Sequence, residues 1–153
     1  MKAFNIRVYG LLLNSRNEVL VSDEHRFGMM FTKFPGGGLE WGEGLVDALR
    51  REFREEVKID VEVIDLFYLT DYFQPSAFDN EQQIISAYYI VDYKDWLSIP
   101  VEYIVNNFNG KEEVHRWVAF ADLTPADFKF PIDRLVAEKL RSKFNERINN
   151  TRE

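Results

Sequence analysis

The apolar positions of the chain fall in short blocks that read in turn as strands and helices. Phe4 to Leu13 is rich in β-branched, aromatic and leucine residues and predicts a strand. Asn14-Ser15-Arg16-Asn17 is a turn signal, and Val19-Leu20-Val21 resumes the apolar pattern, so the two blocks together predict a hairpin. Phe34-Pro35-Gly36-Gly37-Gly38 breaks regular structure sharply. Helical periodicity then runs from Leu45 to Val57. Glu62 to Leu69, Ile84 to Val91 and Val114 to Phe120 predict strands, and the aromatic, proline-containing stretch Asp71 to Asn80 predicts a long loop. Asp92 to Gly110 carries no clear pattern. Pro131-Ile132-Asp133 leads into an amphipathic helix through about Phe144, and the polar tail from about residue 146 is expected to fray. There is no repeat, low-complexity segment or linker. The interleaving of strands and helices predicts an α/β layer architecture with a mixed sheet, in one domain spanning 1–153.

Composition narrows the chemistry. The 153 residues are 46% apolar and 29% charged, the balance of a soluble globular chain. A formal net charge of −7 argues against a broad nucleic-acid surface, and an anionic substrate would need a local site or a bound cation to offset repulsion. The absence of cysteine removes disulfides, thiolate nucleophiles and thiolate metal ligands. Only His25 and His115 supply imidazoles, which excludes a multi-histidine zinc site, and neither has a partner visible in the sequence. Asn5 and Arg7 interrupt any apolar signal core, and no apolar run approaches the roughly 20 residues needed to span a bilayer. The expectation is a cytoplasmic protein with no membrane partner.

The segment from Gly37 to Ile59, GGLEWGEGLVDALRREFREEVKI, carries the most information. At about 100° per residue, Glu52, Glu55 and Glu56 share one helical face, and the apolar stripe Leu49, Phe53, Val57 lies roughly a quarter-turn away. Arg50, Arg54 and Asp47 fall on the solvent side. Three carboxylates bordering a buried stripe repel one another, and the relief is protonation, a basic neighbour or a divalent cation. An all-oxygen ligand set favours Mg²⁺ or Mn²⁺. A solvated Glu-rich helix is the bland alternative. The loop before it weighs against that: Gly36-Gly37-Gly38 permits close approach of a ligand, and Glu43 sits where a carboxylate can cap the helix and face a cation.

These residues resemble the signature of the Nudix hydrolase family: glycine, five residues, glutamate, seven residues, then Arg-Glu-apolar-any-Glu-Glu-any-Gly-apolar. Here it reads Gly37, Glu43, Arg51, Glu52, Phe53, Glu55, Glu56 and Ile59, with Lys58 where the family has glycine. That glycine ends the helix in a left-handed turn, which costs a lysine something. The Phe34-Pro35 lead-in, the strand pattern and the final helix extend the likeness over most of the chain. The resemblance implies an α/β/α sandwich with a mixed β-sheet, and a MutT-like enzyme that hydrolyses a phosphoanhydride in a nucleoside diphosphate linked to another group. The substrate would be a nucleoside triphosphate or a nucleoside diphosphate sugar such as ADP-ribose. By the same resemblance, Gly37 (through its carbonyl), Glu52, Glu55 and Glu56 are metal ligands. Glu52 is the general base, and Arg51 orients Glu52 and pairs with Glu43. The family often adds a glutamate near the late tryptophan, for which Glu112 and Glu113 are candidates, with an exposed loop pair as the alternative. A non-catalytic nucleotide-sugar sensor is the competing function. Related enzymes are often homodimers.

The substrate side is less defined. Asp133 resembles the position where MutT-type enzymes place an asparagine against a purine edge, and a helix N-cap is its other reading. Phe73 and Phe78, with Tyr72, could stack on a base or close a core. Pro75 stands where some ADP-ribose-cleaving members carry proline, or is a plain loop residue. Arg26 and Lys33 could meet phosphate oxygens or remain solvated, and Trp41 is expected to be partly exposed.

Overall fold

The computed structural model describes residues 1–105 and 107–152. Its contacts group into two compact units, one of Met1–Leu13 with Phe34–Ile99, the other of Asn14–Lys33 with the chain from Pro100 onward.

The first unit holds strands β1 (Ala3–Leu12), β4 (Gly36–Gly38), β5 (Glu62–Leu69) and β6 (Gln82–Asp92), and helix α1 (Leu45–Glu56). Strands β2 (Glu18–Arg26) and β3 (Met29–Lys33) intervene in the sequence and belong to the second unit. The first sheet has the order β4-β1-β6-β5. β1 runs parallel to β6, with Ile6 opposite Ile85 and Gly10 opposite Tyr89, and its other pairings are antiparallel, so the expected mixed sheet is present. Helix α1 packs on β1 and β4 through Ala48, Leu49 and Phe53, all fully buried. Gly10 makes that packing close: any side chain there would run into the Phe53 ring. Val57 caps the helix, and Lys58 follows at φ +66, so the lysine adopts the left-handed conformation of the glycine it replaces. Its ammonium donates back to the Glu55 carbonyl at 2.6 Å.

The second unit is built on an antiparallel sheet, β3-β2-β7, where β7 is Glu113–Ala119. Helix α2 (Pro131–Asn150) completes it. Val19, Leu20, Val21, Val118, Leu123, Phe128, Val136 and Leu140 are among its buried residues.

Several expectations need correction. β1 and β2 do not form a hairpin, for they lie in different sheets. The turn at Asn14–Asn17, with Asn17 at φ +59, passes the chain from one sheet to the other. β2 continues past Val21 to Arg26 because Ser22, Asp23 and Glu24 are paired on both sides and buried. β3 was not expected at all. The final helix persists to Asn150 instead of fraying from about Phe144. Asp133 is not its N-cap. Pro131 occupies the first turn, so Phe130 is the cap and Asp133 lies two residues inside the helix. No described helix is long and apolar enough to cross a membrane.

Candidate active site

In the first unit the signature segment folds into a short strand, a loop and a helix, and Arg51 ties them together. Its Nε donates to Glu43 Oε2 at 2.7 Å and Nη2 to Glu43 Oε1 at 2.9 Å, a two-pronged pairing. Nη2 also donates to the Gly38 carbonyl at 3.0 Å, which fixes the guanidinium to β4. Nη1 reaches Glu52 Oε1 at 3.0 Å and Glu55 Oε2 at 3.3 Å. One cation therefore serves three signature carboxylates, with Glu40 3.8 Å away. The pairing of Arg51 with Glu43, and its contact with Glu52, are those the resemblance implied.

The acidic face is graded in exposure. Glu52 is 12% exposed and Glu55 60%, so only part of the face borders the core as expected. Glu56 is half-buried, and its Oε2 accepts the Gly36 N–H at 3.3 Å. Gly36 is at φ +148, a conformation that favours glycine, and it turns this N–H toward the helix. Glu43 does not cap α1. Gly44 is the cap residue, and Glu43 Oε1 accepts the Glu40 N–H at 2.9 Å.

The hydrogen bonds from Arg51 hold the Glu43 carboxyl below its ordinary value, and burial opposes them only in part. The same contact with Glu43, followed by Glu52, pushes Arg51 further up. A depressed carboxylate stabilises the fold above its unfolded pKa and ceases to do so as pH falls through its folded pKa. Glu43→Gln should therefore lower the melting temperature at neutral pH, and the gap from wild type should shrink on acidification below pH 4.5, the ordinary carboxylate value. Thermal melts across that range check this; a constant gap would remove the ion pair from the account.

Gly37 lies against the Glu52 carboxylate. A Cβ at Gly37 would stand 2.5 Å from Glu52 Oε1 and 2.6 Å from its Cδ. The Glu52 carboxylate fills the space that a side chain at Gly37 would take, so β4 and α1 meet closely there. The signature donors are all oxygen, which fits a hard divalent cation. Gly37→Ala should leave the fold intact, because the clash is with a movable side-chain end. It should also displace Glu52 and raise the Mg²⁺ concentration needed for half-maximal rate. An unchanged Mg²⁺ dependence would show that the close approach has no role.

The remaining candidates divide. Phe73 and Phe78 are 71% and 54% exposed and close no core, and Trp41 is wholly exposed. Pro75 forms an isolated bridge to Gln83. In the second unit Glu112 is exposed, while Glu113 sits on β7 and accepts from Ser22 Oγ at 2.5 Å. Burial pushes the Glu113 carboxyl up, but His115, Lys33 and Ser22 outweigh it and the net displacement is downward. Lys33 is not solvated; it is buried with its Nζ 3.1 Å from Glu24 Oε1. Arg26 is exposed and approaches Glu24 Oε2 at 3.9 Å. Asp133 is 4% exposed. Sequence reasoning gave no place to Glu24, which is buried on β2 beside Lys33. The available signal was the abrupt change within one strand from Val19-Leu20-Val21 to Ser22-Asp23-Glu24.

A mixed α/β fold carrying an arginine-linked carboxylate helix beside a glycine loop has the layout that the hydrolase signature implied. The chain matches the NUDIX domain family model over residues 3–139 and belongs to that family; it is a Nudix hydrolase. It is 30% identical over 144 residues to the 8-oxo-dGTP diphosphatase of Escherichia coli (strain K12), covering 92% of this chain and 98% of that protein. Its fold is similar to that of the MutT protein from Methanosarcina mazei Go1 (TM-score 0.68, 19% identity, 93% and 96% of the two chains). It is also similar to that of the E. coli dihydroneopterin triphosphate pyrophosphohydrolase (TM-score 0.65, 18% identity, 90% and 97%).

Proposed function

We propose that the chain, acting as one Nudix domain, hydrolyses a phosphoanhydride bond of a nucleoside triphosphate with the help of Mg²⁺ or Mn²⁺. The observation that carries this reading is the Arg51-centred array of Glu43, Glu52 and Glu55, with Gly37 in close contact with Glu52. Of the two substrate classes the signature allows, the triphosphate is favoured by the E. coli relative, a diphosphatase of 8-oxo-dGTP. The sensor alternative is disfavoured because every signature carboxylate is in place.

The Gly37 carbonyl and the carboxylates of Glu52, Glu55 and Glu56 would hold the cation. Bound there, it would offset phosphate charge and make a water more acidic. The protein's own residues do the rest. Arg51 engages Glu52 Oε1 and leaves Oε2 to take a proton from the attacking water. Glu43, through its paired contact, fixes the plane of the Arg51 guanidinium. Of the late pair, we assign metal binding to the half-buried Glu113 and not to the exposed Glu112. Phe73, Phe78, Arg26 and Asp133 remain the residues we propose for substrate contact. The cytoplasm, where nucleoside triphosphates are made and used, is the proposed location. A homodimer is the proposed assembly, to be checked by analytical ultracentrifugation.

The test is a panel of nucleoside triphosphates and nucleoside diphosphate sugars assayed with Mg²⁺, with Mn²⁺ and after EDTA. Turnover of a triphosphate with either ion and none in EDTA is expected. Full turnover in EDTA would sink the metal mechanism, and turnover of sugars alone would overturn the substrate class.

A further inference from the structure

The mixed sheet of the first unit carries the signature helix on one face only. Side chains alternate along a strand, and directly paired residues share a face. Gly37, opposite Val8, turns toward Glu52, and Gly10 turns toward Phe53, so α1 lies on that side. Arg7 and Tyr9 therefore point to the other side. Register sets Tyr9 between Gly36 and Tyr88, with Tyr68 beyond, and sets Arg7 between Gly38 and Ser86. The result is an aromatic row with a guanidinium beside it. The rings of Tyr9 and Tyr88 are 5.1 Å apart, those of Tyr68 and Tyr88 6.4 Å, and Phe34 meets Tyr88 edge-on.

Setting a cation on an aromatic face away from water is costly, and Arg7 is half-buried there. Its Nε donates to the Tyr9 hydroxyl at 2.6 Å, and its Cζ stands 5.7 Å from the Tyr9 ring centroid. Both contacts are to a neutral side chain, so they fix the plane of the fork without cancelling its charge. The Nη1 end reaches the glycine strand, for a Cβ at Gly38 would stand 3.7 Å from it. β4 is the edge of this sheet. One edge strand separates the Glu52 carboxylate from a held guanidinium backed by aromatic rings. A nucleotide bent over that edge would put its anhydride at Glu52 and its flat, uncharged end against Arg7.

We infer that Arg7 is a specificity-determining residue that reads the base of the substrate and selects guanine over adenine. The inference rests on the nucleotide reading proposed above. A guanidinium only donates hydrogen bonds. Guanine offers it two neighbouring acceptors, O6 and N7, whereas adenine sets the N6 donor beside N7. The aromatic row favours a flat ring over a phosphate at this place.

Steady-state rates with GTP and ATP test this. Wild type should have a kcat/KM at least about tenfold higher for GTP, carried mainly by KM. Arg7→Gln should raise KM for GTP by about tenfold or more, with a smaller loss in kcat. Glutamine pairs with the N6 and N7 edge of adenine, so ATP should draw level or move ahead in that variant. Arg7→Lys, which keeps the charge and loses the fork, should fall between the two. Equal losses for both nucleotides in Arg7→Gln would overturn the inference. So would a wild type that does not prefer GTP, a result that needs no variant to fold. Binding of GMP and AMP, which lack the scissile bond, separates this inference from the proposed reaction. GMP held more tightly than AMP by wild type, with the difference lost in Arg7→Gln, supports it even if no triphosphate is hydrolysed. Hydrolysis of triphosphates without base preference would overturn it and leave the proposed reaction standing.

Discussion

Glu52→Gln is expected to lower kcat by about 10²–10⁴-fold, and saturating Mg²⁺ is not expected to restore it. The carboxylate is only 12% exposed, lies against Gly37 and has one oxygen fixed by Arg51 at 3.0 Å. A glutamine there keeps the shape and an oxygen ligand but cannot accept the proton. Its neighbours on the helix should behave differently. Glu55 is 60% exposed and Glu56 accepts a backbone N–H, so Glu55→Gln or Glu56→Gln should mainly weaken cation affinity and recover in part as Mg²⁺ is raised. The measurement is kcat against Mg²⁺ concentration for each variant. If Glu52→Gln recovers fully and Glu113→Gln does not, the proton is taken by a residue of β7 and the assignment of Glu52 is wrong.

Arg51→Ala should cost about 10–100-fold in activity, the usual loss when a group that orients metal ligands is removed. It should also lower the melting temperature. The guanidinium is the shared donor to Glu43, Glu52, Glu55 and the Gly38 carbonyl, so its loss leaves three carboxylates repelling one another at the mouth of the helix. Arg51→Lys should rescue little, because a single ammonium cannot match the two-pronged contact with Glu43. Steady-state kinetics and thermal melts check both parts. A lysine variant with wild-type kinetics would mean that charge alone suffices and that the fork geometry is incidental.

The site was more legible than the fold around it, for physical reasons. Spacing along a helix fixes which side chains share a face, so Glu52, Glu55, Glu56 and the Leu49, Phe53 stripe could be placed from numbers alone. Arg51 could be paired with Glu43 only because the signature implied it, and its hold on Gly38 belongs to three-dimensional packing. Sheet partners are not local either. β1 pairs with β6, about half the chain away, and the hairpin expected from the turn at Asn14–Asn17 overlooked that alternative. β3 escaped notice because Met-Met-Phe-Thr-Lys alternates only weakly, and its pairing with β2 supplies what its pattern lacks. Asp133 was read as a cap from its residue type, whereas Pro131, whose ring suits the first helical turn, sets the helix start one residue after Phe130. Lys58 shows the opposite outcome, a residue that disfavours a left-handed turn and adopts it nonetheless.

The central claim is that the acidic face of α1 holds the catalytic cation, and direct binding tests it without reference to any substrate. Free Mn²⁺ can be counted by electron paramagnetic resonance as protein is titrated in, for wild type and for a Glu55→Gln/Glu56→Gln variant whose fold is verified by circular dichroism. The account predicts saturable Mn²⁺ binding by wild type, weakened by about tenfold or more in the double variant. Wild-type affinity in the double variant, with the fold intact, would contradict it and place the ion elsewhere.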